Sequence, residues 1–208
     1  MKGKFITFEG IDGSGKSTQL AMLAAELRRQ GAQVVTTREP GGTPLGLALR
    51  AAFLETTGPV APMAELLSFA ADRAQHVEYL IKPEVAAGKI VISDRYADAT
   101  FAYQGAGRGF TEDQVNLVIE LATGGLKPDL TLFFDIPPDE AMARMTARAD
   151  EHRNRMDDET EEFYARVREA YLGIAERESD RFVVIDGCGA IDQIHGRVMA
   201  AVSPRLDQ

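Results

Sequence analysis

Apolar, β-forming runs fall near residues 4–9, 33–37, 89–93, 129–135 and 181–186 of this chain, and patterns of helical period fill much of the sequence between them. After the first run, Leu20, Leu23, Ala24 and Leu27 recur at the spacing of one helix face, and a further helix is expected to begin near Pro62. Strands and helices in alternation predict an α/β fold, a parallel sheet covered by helices on both faces. Such sheets gather ligands beyond the carboxyl ends of their strands, which is where Gly10, Arg38, Asp94 and Asp186 would emerge. Four segments far apart in sequence therefore converge on one cleft.

A length of 208 residues suits one domain, taken as 1–208, and the 45% hydrophobic and 26% charged fractions are those of an ordinary globular chain. No low-complexity tract, long linker or fixed-period repeat divides it. With 23 Lys and Arg against 32 Asp and Glu, the net charge is -9, so the average surface repels a nucleic-acid polymer while a local basic pocket can still hold a nucleotide. There is no run of about 18 apolar residues to cross a membrane and no signal-peptide pattern. Cys188 is the only cysteine, so no intrachain disulfide is possible, and a cytoplasmic location is expected.

The stretch Gly10-Ile11-Asp12-Gly13-Ser14-Gly15-Lys16-Ser17, followed by Thr18, fills every fixed position of the phosphate-binding pattern G-x-x-x-x-G-K-[ST]. It also lies between an apolar strand and a helical pattern, the order that a phosphate loop requires. Glycines there let successive N–H groups turn toward phosphate oxygens, and the following helix adds partial positive charge. Lys16 would reach the outer phosphates of a bound nucleotide, and the Ser17 hydroxyl would take one place on a Mg²⁺ that bridges phosphate oxygens. A glycine-rich turn with a chance lysine is the alternative.

Four further clusters bear on the choice of reaction. Thr37 to Thr43 ends the second strand with paired glycines, and Arg38 there either meets a phosphate or is one of two solvated charges. Phe69 and Arg73 are four residues apart and share a helix face, so a ring could stack on a base while a guanidinium hydrogen-bonds its edge. A core phenylalanine beside a surface arginine has the same spacing. Asp94-Arg95 after the strand at 89–93 is placed to hold Mg²⁺ and a transferring phosphoryl group, or to form a structural ion pair. Pro128 to Ile136 reads as a buried strand, with Asp135 placed to cap the next helix. Near 147–160 the apolar stripe gives way to dense charge, including Arg148, Arg153 and Arg155 after Arg144, which reads as a phosphate-covering lid or as a solvated face.

In this order the motifs resemble the bacterial thymidylate kinase (dTMP kinase) family of P-loop nucleoside monophosphate kinases. The likeness is carried by Phe8 to Thr18, by Arg38-Glu39-Pro40-Gly41-Gly42-Thr43, by Asp94-Arg95-Tyr96 through Ala102-Tyr103-Gln104-Gly105, and by Gly124 to Thr131. The resemblance implies a P-loop NTPase fold with a five-stranded parallel sheet, helices on both faces and a short arginine-rich lid. It implies a homodimer that transfers the γ-phosphoryl group of ATP to dTMP, giving dTDP and ADP with Mg²⁺ required. By motif position it assigns ATP to residues Gly10 through Thr18 with Arg144, and the metal to Ser17 and Asp94. It assigns dTMP to Asp12, Arg38, Arg50, Phe69, Arg73, Arg95, Thr100, Tyr103 and Gln104, with Asp12 on the 3'-hydroxyl, Phe69 on the thymine face and Tyr103 beneath the sugar. Lys16 and Arg95 are the implied catalytic groups. Gly13 stands where some relatives carry an arginine, which directs the remaining catalytic role to the lid residues Arg148, Arg153 and Arg155. Asp157 and Ala99 replace the family's commoner glutamate and serine. A nucleotide switch of the same loop type is the rival reading, and the guanine-reading N-K-x-D segment that would favour it is absent from the sequence.

Overall fold

The computed structural model describes residues 3–147 and 159–206. Its strands are β1 (Lys4–Glu9), β2 (Val34–Arg38), β3 (Ile90–Asp94), β4 (Leu130–Asp135) and β5 (Phe182–Asp186), each starting or ending within one residue of the run that the sequence pattern marks. All neighbours are parallel, in the order β2-β3-β1-β4-β5. Among the described residues the helices are α1 (Lys16–Arg29), α2 (Pro44–Leu54), α3 (Pro62–His76), α4 (Lys82–Ala86), α5 (Ala97–Thr100), α6 (Glu112–Thr123), α7 (Pro138–Ala147), α8 (Glu161–Arg177) and α9 (Ile191–Leu206).

Local chemistry sets several of these boundaries. Thr43 caps α2 by accepting from the Gly46 N–H at 3.0 Å, and Pro44 supplies the pre-set φ of a first turn. Thr111 and Gln114 form a reciprocal capping box at the start of α6, and Gly124 ends that helix at φ 57. Two segments are wound as π-helix, Val77–Ile81 between α3 and α4, and Phe101–Gly107 after α5. Wider turns of this kind recur at functional sites, and the second carries Tyr103 and Gln104.

The alternation of β1 decides which side chain meets which layer. Ile6 and Phe8 join Leu20, Leu23 and Leu27 of α1 and Val198 and Val202 of α9 in one apolar layer. Phe5, Thr7 and Glu9 face the other side, where Phe5 packs edge-on against Tyr96 and Thr7 bonds Thr131 at 2.8 Å. There Phe133 stacks on Tyr171 of α8, their centroids 4.8 Å apart. The pairing register aligns Phe8 and Arg38 with Asp94, Glu9 with Phe133, and Asp135 with Asp186, so these strand ends open onto one rim. The expected convergence at the carboxyl edge is therefore realised. Asp135 does not act as the expected cap: its carboxylate takes both donors of Arg168 at 2.6 and 2.9 Å, tying β4 to α8.

Candidate active site

The phosphate loop leaves β1 at Gly10 and enters α1 through Gly15. Gly10, Gly13 and Gly15 adopt φ values of 144, 84 and 85, which side-chain-bearing residues rarely reach. A Cβ on Gly13 would stand 2.4 Å from the Ala141 carbonyl oxygen, so α7 packs directly on the loop. Arg144 of α7 also reaches it, with donors 3.4 Å from the Gly13 and Gly187 carbonyl oxygens.

At the rim, two cations from different segments meet on Asp12. Its Oδ1 accepts from Lys16 Nζ at 3.1 Å and from Arg95 Nη2 at 2.9 Å. Burial alone pushes the Asp12 carboxyl up, yet Lys16 and Arg95 overcome it and hold the group well below the usual carboxylate range. The same Arg95 Nη2 donates to the Tyr103 hydroxyl at 3.1 Å, and the guanidinium lies 4.7 Å from that ring's centroid. Arg95 itself takes φ 74, a strained value for a residue with a side chain. Its neighbours fix the kink: Arg95 N–H donates to the Phe8 carbonyl at 2.9 Å, and the Ser93 hydroxyl donates to the Arg95 carbonyl at 2.8 Å. The Tyr96 N–H, turned out of the ladder, donates to Glu9 Oε1 at 2.7 Å.

Arg50 lies near Arg38 and Arg95. Its proton affinity is reduced by burial first and then by those two cations, as expected where like charges gather around a seat for an anion. Ser17 Oγ donates to Asp94 Oδ2 at 2.7 Å, placing a hydroxyl and a carboxylate together beside the loop. Among the described residues Asp94 makes no ion pair, while Arg95 pairs with Asp12 at 2.9 Å. No group of three His, Cys, Asp or Glu side chains among the described residues forms an all-protein cation cage. A hard cation held jointly by one carboxylate, one hydroxyl, phosphate oxygens and water needs no such cage, so the residues present fit Mg²⁺.

Behind the rim lies a buried polar network. Arg73 is 2% exposed, and its donors reach Glu39 Oε2 at 2.8 Å, Thr100 Oγ1 at 2.9 Å and the Tyr96 carbonyl at 2.9 Å. Glu39 Oε1 pairs with His76 Nδ1 at 2.8 Å, and the far ring nitrogen meets Thr37 Oγ1 at 2.7 Å. The surface-arginine reading is thus overturned: α3 turns Arg73 inward because Glu39 waits there as its counter-ion. Asp72, also buried, binds the Gly41 N–H at 3.0 Å, and burial together with Glu39 raises its carboxyl to about 6.

A sequence profile of thymidylate kinases matches residues 8–198. Thymidylate kinase of Desulfosudis oleivorans is 46% identical over 204 residues, covering 95% of both chains, and that of Chlorobium chlorochromatii is 43% identical over 210 residues, covering 97% of this chain and 95% of the other. The crystal structure of thymidylate kinase from Ehrlichia chaffeensis superposes with a TM-score of 0.80 at 36% identity, covering 98% of this chain and 99% of that one. The chain belongs to the thymidylate kinase family. It is accordingly a nucleoside monophosphate kinase with a P-loop NTPase fold.

The residues expected around the base lie on α3, α5 and the π-wound segment that follows it. Phe69 is half-buried and meets Phe53 edge-on at 4.8 Å, while Thr100, Tyr103 and Gln104 are buried beside the Arg73 network. Arg38 is exposed on the rim, and Glu39 beside it is 5% exposed, so the alternative of two solvated charges fails for Glu39. Arg148, Arg153, Arg155 and Asp157 lie outside the described residues. Cys188 is half-buried, 3.4 Å from Glu140 Oε2 near the Arg144 end of the cleft.

Sequence reasoning gave no role to Glu9, Glu39, Glu65, His76 or Arg108. Glu65 precedes Phe69 by four residues and Arg73 by eight, so helical spacing alone could have placed it on the same face. Glu9 carried only the weaker signal of a carboxylate inside an apolar strand. Nothing local marks His76, whose partners lie in β2 and the turn after it.

Proposed function

We propose that this single domain transfers the γ-phosphoryl group of ATP to dTMP, the reaction of its family, through the residues gathered on Asp12. The observation that carries this assignment of sites is the shared contact of Lys16 and Arg95 on one carboxylate, with Arg95 also touching Tyr103. It joins the ATP side of the cleft to the acceptor side. Gly10, Ile11, Gly13, Ser14, Gly15 and Thr18 seat the ATP phosphates, and Arg144 borders the adenine end. Lys16 moves from Asp12 to the transferring group, leaving Asp12 to receive the 3'-hydroxyl of dTMP. Arg38, Arg50 and Arg95 bind the acceptor phosphate, Phe69 stacks on thymine, Arg73 donates to its edge, Thr100 and Gln104 line the pocket, and Tyr103 excludes a 2'-hydroxyl.

Phosphoryl transfer is limited by in-line placement and by charge on the non-bridging oxygens, so a cleft of fixed cations suffices. Ser17 and Asp94 would hold Mg²⁺, which would supply charge neutralisation. Each contact of this kind is typically worth about 10² to 10³ in rate. Lid arginines among Arg148, Arg153 and Arg155 complete the charge balance in this reading. The acting species is a cytoplasmic homodimer: α3 packs against both α2 and α6, and Leu45, Leu47, Met63, Leu67, Leu117 and Leu121 on these helices are exposed, a surface that a second copy would cover. No helix among the described residues is long and apolar enough to cross a membrane.

Coupled ADP release with ATP, Mg²⁺ and one acceptor at a time from dTMP, dUMP, thymidine ribonucleotide, dCMP, AMP and thymidine tests the assignment. Strong preference for dTMP is expected. Preference for another acceptor would discard the pocket residues while keeping the phosphate site, and release independent of any acceptor would favour a nucleotide switch.

A further inference from the structure

The amide of Gln104 is held in one orientation by groups outside the base pocket. Its Nε2 donates to Glu65 Oε1 at 2.8 Å. Glu65 is 1% exposed, and Arg108 grips it with Nε at 3.1 Å from Oε1 and Nη2 at 3.2 Å from Oε2. Arg108 is anchored in turn by Glu159 at 2.6 Å and by the Phe163 ring, 4.9 Å from its guanidinium carbon. A carboxylate paired with a guanidinium only accepts hydrogen bonds, so it must face the nitrogen end of the amide. The oxygen end is then left for the base.

We propose that Glu65, gripped by Arg108, sets the hydrogen-bond polarity of Gln104 and thereby makes the pocket select thymine over cytosine. The inference rests on the acceptor assignment made above. Thymine presents an N3–H donor and an O4 acceptor along one edge, and cytosine presents an N3 acceptor and an N4 amino donor. Gln104 Oε1 as acceptor beside Arg73 as donor complements the first edge and opposes the second at both positions. Glu65 and Arg108 touch no substrate in this arrangement. They act as positioning residues, and they distinguish bases that differ in this edge but not those that share it, such as thymine and uracil.

The test is kcat/KM for dTMP, dUMP and dCMP in wild type and in Glu65→Gln. A glutamine at 65 both donates and accepts, so Gln104 is satisfied in either orientation. The dTMP-to-dCMP preference is expected to fall at least about 10-fold, the scale of one buried hydrogen bond freed to reverse. The dTMP-to-dUMP ratio and KM for ATP should stay unchanged. An equal loss on all three acceptors, or a preserved dTMP-to-dCMP ratio, would overturn the role of Glu65. Wild-type enzyme that uses dCMP as well as dTMP would instead refute the acceptor assignment, and this inference with it. Should Glu65→Gln lose its cooperative unfolding transition, Arg108→Met and Arg108→Lys decide by the same ratio. The methionine variant should lose discrimination and the lysine variant retain it.

Discussion

Glu9 offers a sharp test of how the fold supports the strained arginine. The carboxyl is fully buried at the end of β1, accepting from the Tyr96 N–H and from the Tyr171 hydroxyl, each at 2.7 Å. Burial and the nearby Asp98 raise its pKa from 4.5 to about 8, with Arg95, Tyr171 and the Tyr96 N–H pulling the other way. The native protein therefore keeps a proton that the unfolded chain releases as pH rises above about 4.5. Stability contributed by this proton is fully present below that pH and is lost as pH climbs to about 8. At roughly 1.4 kcal/mol per tenfold change in proton affinity, the loss between about pH 5 and pH 7 is on the order of 2 to 3 kcal/mol. Glu9→Gln keeps an acceptor for Tyr96 and removes the titration. Urea unfolding at several pH values should show the stability difference, variant minus wild type, growing by about that amount over the interval,. A difference that stays constant with pH would refute the reasoning, because it would mean that Glu9 is equally easy to ionise in both states.

Three further outcomes are expected. Lys16→Ala should lower kcat by about 10³ or more, while its urea midpoint stays close to wild type, since the ammonium serves the phosphates rather than the core. Asp94→Asn should raise the Mg²⁺ concentration needed for half-maximal rate by about 10-fold, read from a metal titration at saturating ATP and dTMP. Gly13→Ala combines a φ of 84 with a Cβ only 2.4 Å from the Ala141 carbonyl, and it should cost about 1 to 3 kcal/mol of stability together with loss of ATP binding, measured by unfolding and by calorimetry.

The parts that were legible in the sequence depend on short-range pattern. Five apolar runs gave the strands to within a residue, and the loop from Gly10 to Ser17 was readable because its glycines, Lys16 and Ser17 act at fixed spacing along the backbone. Resemblance then pointed to Arg95, Tyr103 and Gln104, which the structure brings to the same cleft. What stayed hidden depends on partners remote in sequence. Arg73 could not be told from a surface residue, since its burial follows from Glu39, 34 residues earlier, and from Thr100, 27 later. Asp135 looked like a cap because its partner Arg168 lies in a helix 33 residues away. The π-wound segment at Phe101–Gly107 has no distinct hydrophobic period, so only its packing on α8 reveals that Tyr103 and Gln104 are presented from a widened turn.

The central claim is that this cleft moves a phosphoryl group from ATP onto dTMP. Incubation with γ-labelled ATP, Mg²⁺ and dTMP, followed by chromatographic separation of nucleotides, tests it directly. Label is expected in dTDP, in a one-to-one ratio with the unlabelled ADP formed, and labelled dTDP should fall to a trace when Lys16 is replaced by alanine. Label released only as inorganic phosphate, or ADP formed equally well without dTMP, would contradict the claim.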